Sequence, residues 1–94
     1  MRKIEWSSSF KRDYKRIKSG RYKADIDLII SEVLECLSND KPLAQKYRDH
    51  QLHGKFRAYR ECHLKPDLLL IYYKIVDNRL ILYRLGSHSD LELT

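Results

Sequence analysis

A nearly continuous apolar run, LLLIYYKIV at residues 68–76, constrains the fold of this chain most strongly. Aromatic and β-branched residues favour a strand, and successive side chains of a strand point to opposite faces of its sheet. Apolar side chains on both faces need cover on both sides. We therefore predict that residues 68–75 form a central strand, buried on each face.

The sequence around this run predicts two further strands. KFRAYRECHL, residues 55–64, alternates well enough for a strand, and Pro66 can fix the φ angle of a tight turn after it. Asp77 and Asn78 supply a second short turn, which leads into RLILYRL at residues 79–85. These three strands should form an antiparallel meander.

The first half of the chain has helical periodicity. KIEW, residues 3–6, is a short strand candidate, and the serines that follow offer an N-cap. Apolar residues at helical spacing then predict one helix that stops near Gly20 and a second helix after it (Phe10, Tyr14 and Ile17; Ile26, Ile29, Ile30, Val33, Leu34 and Leu37). The order strand, helix, helix, strand, strand, strand predicts an α+β fold with helices packed on a mostly antiparallel sheet.

Length and composition indicate one domain that spans residues 1–94. No segment reaches the apolar length of a membrane span, and Cys36 and Cys62 lack the spacing of a disulfide framework or a metal knuckle. We expect a cytoplasmic protein with no membrane partner, in which both cysteines are small buried apolar residues.

The charge is unevenly distributed. Residues 1–23 contain nine Lys or Arg and two acids, residues 24–40 contain five acids and no Lys or Arg, and residues 41–94 contain ten Lys or Arg and six acids. The first helix should present a basic face and the second an acidic one. A basic surface of this kind fits a nucleic-acid partner, although a merely soluble surface would have the same composition.

Four histidines lie in the second half of the chain, and two kinds of chemistry are open to them. His50 and His53 are three residues apart, but no confident helix or neighbouring cysteine supports a metal site. Acid-base chemistry fits better, because imidazole titrates near neutral pH and two imidazoles can take and return a proton. We predict no metal and no cofactor.

The meander should bring candidate residues together at one edge of the sheet. His63 closes one strand, Asp67 follows the turn, and Arg84 and His88 lie at and just beyond the end of the last strand. His50 comes from the preceding loop. Each residue also has an ordinary interpretation: a half-buried or surface histidine, a turn-forming aspartate, or, for Arg84, an ion pair with Glu61.

These residues form a combined pattern: D-H, then G-x-x-x-x-Y-R-x-x-H-x-x-P-D, then R-x-G-x-H, within residues 47–91. The pattern resembles the YafQ branch of the RelE/ParE toxins of bacterial toxin-antitoxin systems. The resemblance implies a ribosome-dependent endoribonuclease that cuts translated mRNA without a metal. It also implies a cognate antitoxin that silences the toxin, with operator DNA bound only through the complex of the two.

The resemblance also implies roles for individual residues. His88 matches the general acid for the leaving 5′ oxygen, and Arg84 matches the phosphate contact. His50, His63 and Asp67 match the group that activates the 2′-hydroxyl or positions the substrate. The basic helix, through Lys11, Lys15 and Arg16, is expected to contact the ribosome in a salt-dependent way.

Two positions depart from the family pattern. Leu68 and Glu92 stand where the family often has aromatic residues, so base stacking could differ. Two other functions remain open: a toxin of the same fold that inhibits DNA gyrase, and a basic RNA-binding module without catalysis.

Overall fold

The computed structural model describes residues 1–75 and 77–91, so Val76 and Glu92 lie outside the described residues. The elements in chain order are β1 Lys3–Trp6, α1 Ser8–Lys18, α2 Ile26–Ser38, β2 His50–Gln51, β3 Arg60–Lys65, β4 Leu68–Ile75, β5 Arg79–Gly86 and α3 His88–Leu91, with short 3₁₀ turns at Gln45–Tyr47 and Gly54–Phe56. Within that range, no helix is long and apolar enough to cross a membrane.

The five strands form one mixed sheet in the order β1-β5-β4-β3-β2. Strands β3, β4 and β5 form the predicted antiparallel meander, β2 joins it antiparallel to β3, and β1 pairs with β5 in parallel. The helices pack on this sheet. The predicted α+β class and the mostly antiparallel sheet are therefore confirmed.

The central strand β4 separates two differently covered faces. On the helix face, Leu68, Leu70 and Tyr72 are at most 1 % exposed and pack in a core with residues of α1 and α2. On the open face, Leu69 and Ile71 pack against Leu91 of α3 and against partly buried side chains, namely Leu52, Tyr59 and Tyr83. The prediction of a strand buried on both sides is confirmed for residues 68–72.

Helix α1 begins as its sequence predicts. The Ser7 hydroxyl accepts a hydrogen bond from the Phe10 amide at 3.0 Å, which is an N-cap. The helix ends at Lys18 with Ser19 as its C-cap, so the predicted stop near Gly20 is confirmed. The amide and hydroxyl of Ser19 both donate to the Arg16 carbonyl and close the last turn.

The predicted strand at residues 55–64 is wrong in its first half. Strand β3 begins only at Arg60, because the preceding Gly54–Phe56 forms a 3₁₀ turn that starts with a left-handed glycine at φ +65°. His50 was expected in a loop, but it lies in β2. Arg48, at φ 49°, turns the chain so that His50–Gln51 can pair with β3.

Candidate active site

The strand register places two candidate side chains, His50 and His63, on the open face together with Glu61. His50 lies opposite Glu61, and Glu61 lies opposite Ile71, whose side chain belongs to the open face. His63 is two residues beyond Glu61 on the same strand, so it shares that face. His50, Glu61 and His63 therefore share the open face.

His63 lies between the other two histidines. Its ring centroid is 6.0 Å from that of His50 and 5.7 Å from that of His88. The His63 Nε2 atom is 3.7 Å from Oε1 of Glu61, and both side chains are about nine-tenths buried. His63 Nδ1 is buried and has no hydrogen-bond partner among the described residues.

Burial decides the charge of His63. Desolvation lowers the pKa of His63 below its usual value, the Glu61 carboxylate opposes this shift, and the positive charge of Arg48 adds to it. The imidazole is therefore neutral at neutral pH. A neutral imidazole has one nitrogen lone pair that can accept a proton.

Asp67, which lies in the turn between β3 and β4, binds His88. The Asp67 Oδ1 atom accepts the His88 amide at 3.0 Å and lies 2.6 Å from His88 Nδ1. These bonds lower the pKa of Asp67, so it remains a carboxylate. A carboxylate at Nδ1 fixes the imidazole tautomer and leaves Nε2 for proton exchange. Asp67 thus orients His88.

The short helix α3 positions His88 through a capping box. The Ser87 amide donates to Asp90 Oδ2 and the Asp90 amide donates to Ser87 Oγ, each at 3.0 Å. Gly86 permits this packing, because a Cβ atom there would lie 3.0 Å from the Cβ of Asp90. The sequence pattern included Gly86 and His88, but neither predicted a helix.

Arg84 does not pair with Glu61, so that interpretation is corrected. Its Nε and Nη2 atoms donate to Asp13 of α1 at 2.7 and 3.3 Å. Asp13 also accepts a hydrogen bond from the Leu85 amide at 2.9 Å. Leu85 lies beyond the residues of β5 that pair with β1, so Asp13 takes the place of a strand partner there. The Asp13 carboxylate raises the pKa of Arg84 and holds its guanidinium at the edge of the sheet.

Three comparisons with known proteins identify the family of this chain. Residues 2–93 match the model of the family described as the bacterial toxin of type II toxin-antitoxin system, YafQ. The chain belongs to the YafQ toxin family.

Relatives of this YafQ-family chain match it over nearly their whole length. The mRNA interferase toxin YafQ of Escherichia coli K12 is 36 % identical over 90 residues, covering 96 % of this chain and 95 % of that protein. The metal-bound toxin from Helicobacter pylori has 46 % identity and a TM-score of 0.82, covering 97 % of this chain and 99 % of that one. The E. coli DinJ-YafQ complex matches with 33 % identity and a TM-score of 0.80, covering 97 % and 98 %.

The basic residues of α1 in this YafQ-family chain divide into two kinds. Lys11 and Lys15 are exposed and form no ion pair within the described residues. Arg16 is different: its guanidinium lies 3.1 Å from Asp90 Oδ2 and 3.4 Å from both Asp13 Oδ1 and the Leu85 carbonyl. Arg16 therefore joins α1 to the segment that carries His88.

The YafQ-family site contains a group of donors that could hold a metal ion. One ligand atom from each of Glu61, His63 and His88 lies within 4.8 Å of the others. A carboxylate and two imidazoles suit zinc or copper. This group differs from the His50 and His53 pair that the sequence raised, and His53 is exposed outside the cluster.

Two residues of the site escaped the sequence analysis, although each had a signal. Glu61 stands two positions before His63 in a strand, which places both on one face. Asp13 occupies the apolar stripe of α1, three residues after Phe10 and one before Tyr14, where a charge needs a partner. Leu68 is buried on the helix face, so a role for it in base stacking is not supported.

Proposed function

We propose that this chain is a ribosome-dependent mRNA endoribonuclease that cleaves RNA by acid-base chemistry without a metal. One observation carries the proposal: the ring of His63, a buried neutral histidine, lies 5.7 Å from the ring of His88, which the Asp67 carboxylate holds. The family membership supports it, as does the name of the E. coli relative, an mRNA interferase.

The proposed reaction needs two proton transfers. The 2′-hydroxyl oxygen attacks the neighbouring phosphorus while a base takes the hydroxyl proton. The bond between phosphorus and the 5′ oxygen breaks, and an acid donates a proton to that oxygen. The products are a 2′,3′-cyclic phosphate and a 5′-hydroxyl, and no external reagent is consumed.

We assign the base to His63 and the acid to His88. Burial keeps His63 unprotonated, as a base must be before it acts. Asp67 orients His88 through Nδ1, and His88 enters the step as the imidazolium, which gives its Nε2 proton to the leaving oxygen. We assign His50, whose ring lies 6.0 Å from that of His63, to positioning the substrate.

Arg84 is assigned to the phosphate. Two of its nitrogens, Nε and Nη2, bind Asp13, so the remaining nitrogen, Nη1, is the one available to a phosphorane oxygen. Because the Asp13 carboxylate partly neutralises Arg84 and fixes its guanidinium, Arg84 acts as an oriented hydrogen-bond donor more than as a free cation. The phosphorane carries more negative charge on its oxygens than the ground state, and a fixed donor stabilises that charge.

Cleavage of mRNA in a translating extract tests the function. We expect the wild type to cut, and His88→Ala and His63→Ala to lower the rate roughly 10²- to 10⁴-fold, the usual effect of losing a general acid or base. His53→Ala is the matched control, because His53 is an exposed histidine outside the cluster. Normal cutting by both cluster variants, or no cutting by the wild type, would refute the nuclease.

Ribosome dependence has a separate test in the basic helix. We expect Lys11→Gln with Lys15→Gln to weaken ribosome association and to reduce its salt dependence, because each lost phosphate contact lowers the salt slope by about 0.7 to 0.9. Arg16 is left intact, since its partners Asp13 and Asp90 support the site. An unchanged slope would remove this role from α1.

The proposed partners are a cognate antitoxin, the ribosome and its mRNA, and operator DNA only through the toxin-antitoxin complex. The support for the antitoxin is the related E. coli DinJ-YafQ complex. We expect expression of the chain to arrest growth and a neighbouring small gene to relieve the arrest. Arrest that follows gyrase inhibition, with mRNA intact, would instead favour the gyrase-directed function. Binding of RNA without cleavage would favour the non-catalytic module.

A further inference from the structure

Three tyrosines form a cluster on the open face that the reaction does not use. The rings of Tyr59 and Tyr83 are stacked, with centroids 4.8 Å apart and an angle of 25° between planes. The ring of Tyr73 meets Tyr59 edge-on at 5.1 Å. All three side chains are half-buried, so part of each ring faces solvent. We call these residues the tyrosine platform.

The tyrosine platform adjoins Glu61 and His63 on the open face. Glu61 and His63 alternate along β3 and face the same side of the sheet. Tyr59, just before the strand, packs against the cluster of Leu69, Ile71 and Leu91 on that same face. Tyr83 immediately precedes Arg84 on β5. A strand of RNA that passes His63 with its phosphate at Arg84 would therefore continue over the tyrosines.

Positive charge lies beside the platform. An open depression of about 230 Å³ borders Tyr73, and its cationic lining residues are Arg57, Arg60 and Lys74. Arg60 and Lys74 directly neighbour Glu61 and Tyr73 on their strands, so their side chains leave from the opposite face of the sheet. Arg60 is paired with Asp49 and Lys74 with Asp40, but Arg57 is exposed and makes no ion pair within residues 1–75 and 77–91.

The composition of this surface favours a nucleic acid. Single-stranded nucleic acids bind where aromatic rings offer stacking surfaces beside a basic groove that follows the backbone. The Phe56 ring lies 6.1 Å from the Tyr59 ring, between centroids, at the same end of the open face. Lys55 is also exposed and lies over the Phe56 ring. An acidic or apolar protein segment would use the cations or the rings, whereas RNA uses both.

We propose that the tyrosine platform stacks a base of the mRNA that flanks the cleaved phosphate, with the sugar-phosphate backbone along Arg57. The inference rests on the proposed nuclease function, because it continues the substrate path from that site. It assigns the platform to substrate affinity and leaves the proton transfers to the histidines.

The test compares Tyr59→Leu, which keeps an apolar side chain but removes the ring, with Tyr59→Phe, which keeps the ring. Ribosomes programmed with a synthetic mRNA and an empty A site are titrated with toxin, and single-turnover cleavage gives the half-saturating concentration and the maximal rate. We expect Tyr59→Leu to raise the half-saturating concentration roughly 5- to 100-fold, the usual effect of one lost stacking contact. The maximal rate should change much less, and Tyr59→Phe should match the wild type.

An abasic nucleotide identifies the stacked base. Placed in turn on each side of the cut, it should raise the half-saturating concentration of the wild type at one position only. At that position the abasic change should add nothing to Tyr59→Leu, because both remove the same contact. The proposal would be wrong if the abasic change and Tyr59→Leu multiplied each other's effect on the half-saturating concentration. It would also be wrong if Tyr59→Leu alone changed that concentration less than twofold.

Two controls separate stacking from other causes. Tyr22→Leu removes a partly buried tyrosine from the helix-face core and should leave the half-saturating concentration unchanged, provided thermal unfolding shows that each variant is folded. If Tyr59→Leu weakened antitoxin binding but not RNA cleavage, the platform would belong to the antitoxin and the RNA inference would be wrong.

Failure of the nuclease proposal gives a different result. If the wild type does not cut, the platform is tested by fluorescence anisotropy of a labelled RNA oligonucleotide with His88→Ala and with the same variant carrying Tyr59→Leu. Weaker binding by the double variant would uphold the platform without the chemistry. Equal binding would overturn it.

Discussion

The two faces of the sheet are built from the same strands but differ in cover and in polarity. The helix face is closed by α1 and α2 over a continuous apolar core that includes Leu70 and Leu82, both fully buried. Among the described residues, the open face has α3 and the side chains of Leu52, Tyr59 and Tyr83 over Leu69 and Ile71, and it carries Glu61 and His63. Stability should therefore depend mainly on one face and activity on the other.

The largest expected effect is on the helix face. Leu70→Ala should lower the free energy of unfolding by about 2 to 5 kcal/mol, because the fixed surroundings of a closed core leave a cavity. Leu69→Ala removes the same atoms from the open face, where the thin cover can relax, and should lower it less. Urea unfolding of both variants measures the difference; equal losses would mean that the two faces are equally rigid.

The next effect belongs to the open face and concerns activity. Asp67→Asn should slow cleavage about 100-fold, the size of effect that a misplaced reacting group produces. Asp67 is more than half exposed, so the free energy of unfolding should change by less than about 0.5 kcal/mol. A parallel loss of stability and activity would show that Asp67 supports the fold and not the orientation of His88.

Asp13 links the two faces, so its replacement should affect both. Asp13→Asn should lower the free energy of unfolding by about 1 to 3 kcal/mol, because the carboxylate is buried and serves Arg84 and the Leu85 amide. It should also reduce the maximal cleavage rate by releasing Arg84. The control is Asp77→Asn, an exposed aspartate that pairs with Arg79 and leaves the Arg84 and His88 contacts intact. A stable Asp13→Asn variant with normal cleavage would contradict the link.

The buried histidine should make stability depend on pH. The pKa of folded His63 is below the ordinary value of 6.5, so the unfolded chain takes up this proton first as the pH falls. The stability that neutral His63 gives is complete above pH 6.5 and is lost as the pH falls through the folded-state pKa. Urea unfolding at pH 7.5 and 5.5 should show a larger decrease for the wild type than for His63→Gln.

Metal removal should have the smallest effect. We expect chelation to leave the cleavage rate of purified toxin unchanged within about twofold, since the proposed proton transfers need only side chains. Added zinc should slow cleavage by occupying Glu61, His63 and His88, and Glu61→Gln should weaken that inhibition. Activity that chelation abolishes and zinc restores would replace the metal-independent mechanism.

The sequence predicted those parts of the fold that depend on local periodicity. The alternating and continuous apolar patterns located β4 and β5, and the helical stripe located α2. The serines after KIEW were predicted to supply an N-cap for α1, and Ser7 is that cap. It was wrong at residues 55–59, where alternation of side chains did not outweigh the turn set by Gly54. Periodicity describes side-chain direction, but a turn depends on backbone angles that few residues specify.

The sequence by itself determined the order of the main elements, without β2 and α3, and the apolar centre of the sheet. Through the combined pattern it proposed the candidate site residues His50, His63, Asp67, Arg84 and His88. Only the tertiary structure decided which of these groups touch. The register of β2 and β3 placed Glu61 at the site, and the packing of α1 on the edge of β5 gave Arg84 to Asp13. Contacts between distant residues depend on register and on burial, which no local pattern encodes.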